Sequence, residues 1–263
     1  MTVTFSRVYT WVSFVKFEHT LFSLPLLYAG AVIAAGAFPD LRTALWILGG
    51  GTGARTAAMG LNRIIDRNID ARNSRTEDRE LPRKTMNLAE AWGIVAAGLA
   101  LYLFSCFMLS PFALSLSPVP LIVFVVYPYM KRFTSLAHFG VGTALAFAPL
   151  SGFIAVTGSI ADSAAVLWLA AFTLFWVAGF DIIYATLDIE FDRTEGLRSL
   201  PVWLGRHTAL GVSMFTHLLA IGCLVGLFVE DLSGVIAITG IMATGVVLAA
   251  EHWLAERVNL AFF

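Results

Sequence analysis

The sequence predicts an all-α fold, a polytopic transmembrane helical bundle, and three observations carry the prediction. Hydrophobic residues fill 58% of the 263 positions and charged residues only 13%, with a mean hydropathy of +0.80. Soluble domains carry about 25% charged residues, so half of the charge that a water-facing surface needs is missing and lipid must be the solvent. The apolar positions fall into runs of about 20 residues, the length that crosses a hydrocarbon core. The ionisable residues gather in two long polar loops between these runs.

Eight spans are legible, near 20–38, 41–62, 88–108, 112–130, 136–157, 163–183, 207–229 and 233–250. The first contains an Ala35-Gly36-Ala37 triplet that mimics a cleavage site, but its apolar run follows a long polar lead, so it reads as a spanning helix. The second holds Gly49-Gly50-Gly51 and Gly53, too deep and too apolar for a phosphate loop, and predicts close helix packing. Cys106 and Cys223 sit inside the third and seventh runs and read as small core residues rather than a disulfide. Short connections at 38–40, 110–111, 158–162 and 230–233 lie on one side of the bundle, and the long loops at 64–87 and 184–206 on the other. Of the 17 Lys and Arg residues, the short-loop side holds only Arg42, and Arg55 lies within the second span. The other 15 fall on the side of the long loops and the N-terminus. A Lys/Arg excess marks cytoplasmic loops, so these face the cytoplasm, most simply across a prokaryotic cytoplasmic membrane. A net charge of -1 excludes a nucleic-acid partner, which needs a basic excess.

The two long loops resemble one another. Residues 62–82 read NRIIDRNIDARNSRTEDRELP and residues 181–201 read DIIYATLDIEFDRTEGLRSLP. Each carries Asp-x-x-x-Asp at the end of a span, then Arg-Thr-Glu, then Leu-Pro. The Asp pairs are 122 residues and four spans apart, and an even number of spans returns both to one membrane face. The chain therefore reads as one transmembrane domain, 1–263, with two related halves at about 1–132 and 133–263. Each half would give one acidic cluster to a shared site.

Asn62, Asp66 and Asp70 are spaced by four, which stacks side chains on one helical face. Asp181, Asp188 and Asp192, spaced by seven and four, predict a second ladder with Tyr184 beside it. Acidic groups cost about 2.5–3.5 kcal/mol each at the centre of a membrane helix, and like charges on one face repel. Such ladders make sense around a cation, and a few hard oxygen ligands suit magnesium shared with substrate phosphates. The plainer reading pairs the carboxylates with Arg63, Arg67, Arg72, Arg75, Arg193 and Arg198 at a solvated interface, and it accounts for one ladder better than for two. Arg55 lies two turns before Asn62 on the same face, where an arginine inside a span needs an anionic partner. Lys131 and Arg132 close the fourth span in YPYMKR. They serve as a positive-inside anchor or as neutralising charge beside a diphosphate, and Arg67, Arg72 and Arg75 can also reach phosphate oxygens. Glu18, His19 and Thr20 open the first span as a helix cap, or as contacts to an acceptor at a cavity mouth.

On these residues the sequence resembles the UbiA superfamily of membrane prenyltransferases. The family's first motif, Asn-Asp-x-x-Asp-x-x-x-Asp, appears as NRIIDRNID with Arg63 at the second position, and its RTxxRxLP tail appears as RTEDRELP. The second motif, Asp-x-x-Tyr-x-x-x-Asp-x-x-x-Asp, is whole as DIIYATLDIEFD, and the arginine seven residues before the Asn and the YPxxKRxT run also match. The resemblance covers nearly the whole chain and implies a helical bundle whose central cavity opens sideways to lipid. It implies two magnesium ions, one held by Asn62, Asp66 and Asp70, the other by Asp188 and Asp192 with Asp181 assisting. Arg55, Arg67, Lys131, Arg132 and Tyr184 would surround a polyprenyl diphosphate or its acceptor. The family usually has nine spans, and this sequence stops at NLAFF (259–263), where a ninth is expected to begin. The first span, KFEHTLFSLPLLYAG, resembles menaquinone-type members of the futalosine route, which in turn resemble 4-hydroxybenzoate polyprenyltransferases. The implied acceptor in ubiquinone or menaquinone biosynthesis is 4-hydroxybenzoate or a dihydroxynaphthoate, and either brings a carboxylate to answer Arg55.

The implied reaction breaks the carbon–oxygen bond of the diphosphate, and a ring carbon of the acceptor attacks the allylic cation, with Asp181 a candidate base for the ring proton. Two other readings compete. A secondary transporter also carries intramembrane charge and internal repeats, but it predicts acidic residues at mid-membrane, whereas these stand at span ends on one face. A catalytically silent homologue would bind a prenyl lipid without turnover.

Overall fold

The computed structural model describes residues 2–257, with side chains over 7–16 and 23–257. Glu18, His19 and Thr20, and the NLAFF segment, lie outside the described side chains. Every regular element among the described residues is a helix. α1 (Thr2–Phe14) and α2 (Phe17–Ala35) are joined at Lys16, whose φ of 49° turns the chain through the left-handed region. α2 stops at Gly36, φ 67°, whose N–H closes on the Val32 carbonyl. α3 (Leu41–Asp70) begins at Asp40, whose carboxylate accepts from the N–H groups of Arg42 and Thr43 at 3.0 and 3.2 Å. It then runs 30 residues and carries the first acidic motif to its end.

Asn87 and Glu90 form a reciprocal cap that starts α4 (Leu88–Leu109) beyond the loop. α5 (Pro111–Leu116) is capped by Ser110, and α6 (Pro118–Met130) opens on a proline, which the first helical turn tolerates. α7 (Ala137–Thr157) and α8 (Ala164–Ala185) lead to the second motif, followed by α9 (Ile189–Thr194), α10 (Leu200–Leu204), α11 (Arg206–Glu230) and α12 (Gly234–Arg257).

Six stretches among the described residues are long and apolar enough to cross a membrane: Leu88–Leu109, Pro111–Met130, Ala137–Thr157, Ala164–Ala185, Arg206–Glu230 and Gly234–Arg257. They match the third to eighth predicted spans. The second predicted span falls on α3, where Arg42, Arg55 and five glycines dilute the apolar character, and the first on α2, whose described apolar stretch is Ser23–Ala35.

The chain divides into two compact units, Met1–Pro128 with Ser151–Ala161, and Tyr129–Leu150 with Asp162–Phe263. In the first, α3 packs along α4. A Cβ on Gly53 would stand 2.6 Å from Tyr102 N and 2.7 Å from Gly98 O, so the two backbones touch there as the glycine run predicts. Phe14, Val15, Ile64, Met86, Ala91 and Val95 form a buried cluster that seats the end of α3. In the second unit α8 packs along α11, and Ile182, Leu200 and Ala209 form a buried cluster beside the second motif. Cys106 and Cys223 are buried free thiols, in line with the core role read from their surroundings.

Candidate active site

Asn62, Asp66 and Asp70 share one face of α3, as the spacing of four requires. Asp66 and Asp70 are only 3% and 5% exposed, and the Asn62 amide points to Asp66 Oδ2 at a long 3.5 Å. A buried carboxylate needs hydrogen bonds or a counter-charge. For Asp70 this comes from Arg79, whose Nη1 donates to both carboxylate oxygens at 2.8 Å. The Thr76 hydroxyl also donates to the Asp70 backbone carbonyl at 3.1 Å. Glu80, the next residue, pairs with buried Arg63 at 3.1 Å and accepts a 2.6 Å hydrogen bond from Ser13 of α1. Positions 63 and 70 are two turns apart on one face of α3, so neighbouring loop residues clamp the loop onto that face. The Arg63 departure from the family motif thus serves this clamp.

Deeper on α3, Arg55 Nε is buried with no hydrogen-bond partner among the described residues. A guanidinium edge in that state calls for an anion. Arg67 is exposed and donates from Nη1 back to the Ile64 carbonyl at 2.8 Å.

The second motif departs from the single ladder that its spacing predicts. α8 ends in three successive bonds to the i−3 carbonyl, Thr186 to Ile183, Leu187 to Tyr184 and Asp188 to Ala185, at 3.0–3.2 Å. The Thr186 hydroxyl also takes the Ile183 carbonyl, at 2.7 Å. This tighter turn changes the angular period, so α9 starts anew with Asp188 at its N-cap and Asp192 one turn along, while Asp181 stays on α8. Burial pushes the Asp192 carboxyl up to about 6 and the charge of Asp188 adds to the rise, against the opposing pull of the Ser199 hydroxyl and Lys131. A carboxylate held up by a like charge gains from a cation beside the pair.

The Lys131 and Phe133 carbonyls accept from Arg198, at 2.7 Å from its N–H and 2.9 Å from its Nη1, which pins the YPYMKR turn. Arg132 lies 4.7 Å over the Tyr129 ring. Tyr184 is half-exposed and stacks on Phe180 with ring centroids 6.0 Å apart.

Three partners escaped sequence reasoning. Arg79 and Glu80 had only their place in RTEDRELP as a signal, among many charges of equal claim. The third, His138 on α7, is buried with Nδ1 2.7 Å from Asp181 Oδ2 and with Nε2 accepting from the Leu200 N–H at 3.2 Å. Its available signal was an ionisable residue at the head of an apolar span, on the side of the motif loops.

Among the described residues no three His, Cys, Asp or Glu side chains form a closed ligand set. Oxygens are offered singly or in pairs, a donor set that fits a hard cation that keeps waters and draws further ligands from phosphate.

The profile of the UbiA prenyltransferase family matches residues 23–261. The chain is 35% identical over 209 residues to a 4-hydroxybenzoate solanesyltransferase of Synechocystis sp., covering 76% of this chain and 68% of that one. The structure of a UbiA homolog from Aeropyrum pernix K1 superposes with a TM-score of 0.85 at 36% identity, over 90% of this chain and 88% of that one. A UbiA homolog from Archaeoglobus fulgidus, bound to GPP and Mg2+, shares the fold with a TM-score of 0.74 at 19% identity, over 95% and 88% of the two chains.

Proposed function

The chain belongs to the UbiA prenyltransferase family and is an integral membrane prenyltransferase, and from that premise we propose its reaction. It transfers a polyprenyl group from a polyprenyl diphosphate to a ring carbon of an aromatic carboxylate, 4-hydroxybenzoate or a dihydroxynaphthoate, with Mg2+ as cofactor. The observation that carries this is on α3, where buried Asp66 and Asp70 follow Arg55 along the helix and Arg55 Nε has no partner among the described residues. Acid and cation in that order call for a ligand that answers both, and a metal-bound diphosphate does: its metal meets the carboxylates and its oxygens meet the guanidinium. The solanesyltransferase relative and the GPP- and Mg2+-bound homolog support the same chemistry.

In this reading Asn62, Asp66 and Asp70 hold one ion, and Asp188 and Asp192 a second. Magnesium, when bound, offsets the charge that grows on the departing diphosphate and so eases carbon–oxygen cleavage. Arg55, Arg67, Lys131 and Arg132 balance the remaining charge of diphosphate or acceptor, and Tyr184 offers an aromatic wall to substrate. Asp181 takes the proton that the ring carbon loses once it has attacked the allylic carbon. Two related halves, about 1–132 and 133–263, each supply one motif, and the Lys/Arg asymmetry orients the motif loops toward the cytoplasm.

Mass spectrometry of products from mixed prenyl diphosphates and both acceptors tests this. Wild-type protein is expected to prenylate one acceptor only with Mg2+, and Asp66→Asn and Asp188→Asn to lose on the order of 100-fold in rate. Turnover that survives chelation, or wild-type rates in both variants, would refute it.

A further inference from the structure

Resting on the assignment of Asp181 as proton acceptor, we propose that His138 is its positioning residue: a neutral imidazole locked with its proton on Nδ1, which fixes the Asp181 carboxylate without cancelling its charge. Three elements of the second unit meet at this ring. α7 carries His138, α8 carries Asp181, and Leu200 opens α10. The first N–H groups of a helical turn have no partner within it. Ser199 Oγ takes the N–H of Val202 at 3.4 Å, and the N–H of Leu200 goes instead to His138 Nε2 at 3.2 Å.

A backbone N–H can only donate, so Nε2 must present its lone pair, and the hydrogen bond at one ring nitrogen sets the state of the other. The proton therefore sits on Nδ1, aimed at Asp181 Oδ2 across 2.7 Å, the short distance typical of a bond to a carboxylate. An imidazolium would set Nε2–H against the Leu200 N–H, so the Leu200 bond favours the neutral ring. Packing holds the arrangement: His138 is buried, and Leu200 lies in the cluster with Ile182, the residue after Asp181.

The consequence is electrostatic. Arg79 brings a full positive charge to Asp70. A neutral imidazole restrains Asp181 through one oxygen and leaves the carboxylate's net charge in place. The Asp181 side chain keeps 35% of its surface exposed, so a restrained carboxylate remains within reach of a ligand. A general base must be held in place, and this pairing holds Asp181 by one oxygen.

Nitrogen-15 NMR of histidine-labelled full-length protein in detergent, with His138 assigned by loss of its signals in His138→Gln, is expected to show a protonated Nδ1 and a bare Nε2. An Nε2–H tautomer or an imidazolium would overturn the proposal, and this measurement does not depend on turnover. In the prenylation assay, His138→Ala is expected to lower kcat by roughly 10–100-fold, the scale for residues that orient a functional group, with little change in KM. In an Asp181→Asn background it should cost nothing further. Multiplicative losses in the double variant, or a loss confined to KM or melting temperature, would overturn the positioning role. His138→Asn, which keeps a donor near the Nδ1 position, should recover most of kcat, and His138→Gln should not; the reverse order also counts against the proposal. No product from wild-type protein would instead sink the underlying reading of Asp181, while the tautomer measurement still decides the clamp.

Discussion

Replacing Arg79 by alanine is expected to destabilise the metal-free protein by about 2–3 kcal/mol and to make its melting temperature depend on magnesium. Arg79 Nη1 meets both oxygens of Asp70 at 2.8 Å, with side-chain exposures of 33% for Arg79 and 7% for Asp70. Hydrogen bonds to charged groups contribute about 1.5–3 kcal/mol, and removing one partner of a fully buried pair costs about 3–5 kcal/mol. Arg79 is one-third exposed and offers a single nitrogen to both oxygens, so solvent screening pulls the figure toward the lower end. The loss stays local, because Thr76 still holds the loop to the Asp70 carbonyl. At about 2–4 °C per kcal/mol for a chain of this size, the melting temperature should fall by roughly 4–12 °C.

A magnesium ion at Asp70 would pair the stranded carboxylate again. At 100 times its Kd a ligand adds about 2.7 kcal/mol, enough to offset the deficit. The assay is thermal melting in one detergent, with Mg2+ and with EDTA, of wild type, Arg79→Ala and Arg79→Ala/Asp70→Asn. The single variant should melt low in EDTA and recover in Mg2+. The double variant should recover without Mg2+, because its amide strands no charge. Equal melting of wild type and Arg79→Ala in EDTA would refute the buried-pair argument, and a deficit that Mg2+ leaves untouched would refute Asp70 as a metal-holding residue.

Gly53→Ala is expected to cost about 1–3 kcal/mol, the range for overpacking, since its Cβ would meet Tyr102 N at 2.6 Å and Gly98 O at 2.7 Å, backbone atoms that no rotamer change can move. Gly93→Ala, on α4 with nothing within 4 Å of the new Cβ, should be neutral or stabilising by up to about 1 kcal/mol, and equal melting of the two variants would contradict the close crossing. Asp192, pushed up to about 6, disfavours the fold when ionised, so its contribution is fully present below the ordinary carboxylate range and is lost as pH rises through about 6. Binding of Mg2+ should therefore raise the melting temperature more at pH 7.5 than at pH 5, and Asp192→Asn should flatten that difference; a pH-independent gain in wild type would count against this account.

What the sequence determined by itself is what local chemistry decides. Six apolar runs became helices of spanning length because hydropathy is a property of each segment alone. Asn62, Asp66 and Asp70 share a face because the helical period fixes every fourth residue, and Gly53 marks a close crossing because only glycine admits a neighbouring backbone there. The same periodic logic failed between Asp181 and Asp188, where the Thr186 hydroxyl and the i−3 bonds ended α8 and turned one expected ladder into two pieces. Only the tertiary structure chose among partners of equal charge. Many arginines lie near the carboxylates in sequence, and the path of the loop, seated by Phe14 and Met86, delivered Arg79 to Asp70 and Glu80 to Arg63. His138 reaches Asp181 across 43 positions and Leu200 across 62. No local pattern encodes such contacts, because they exist only once packing has brought three helices to one ring.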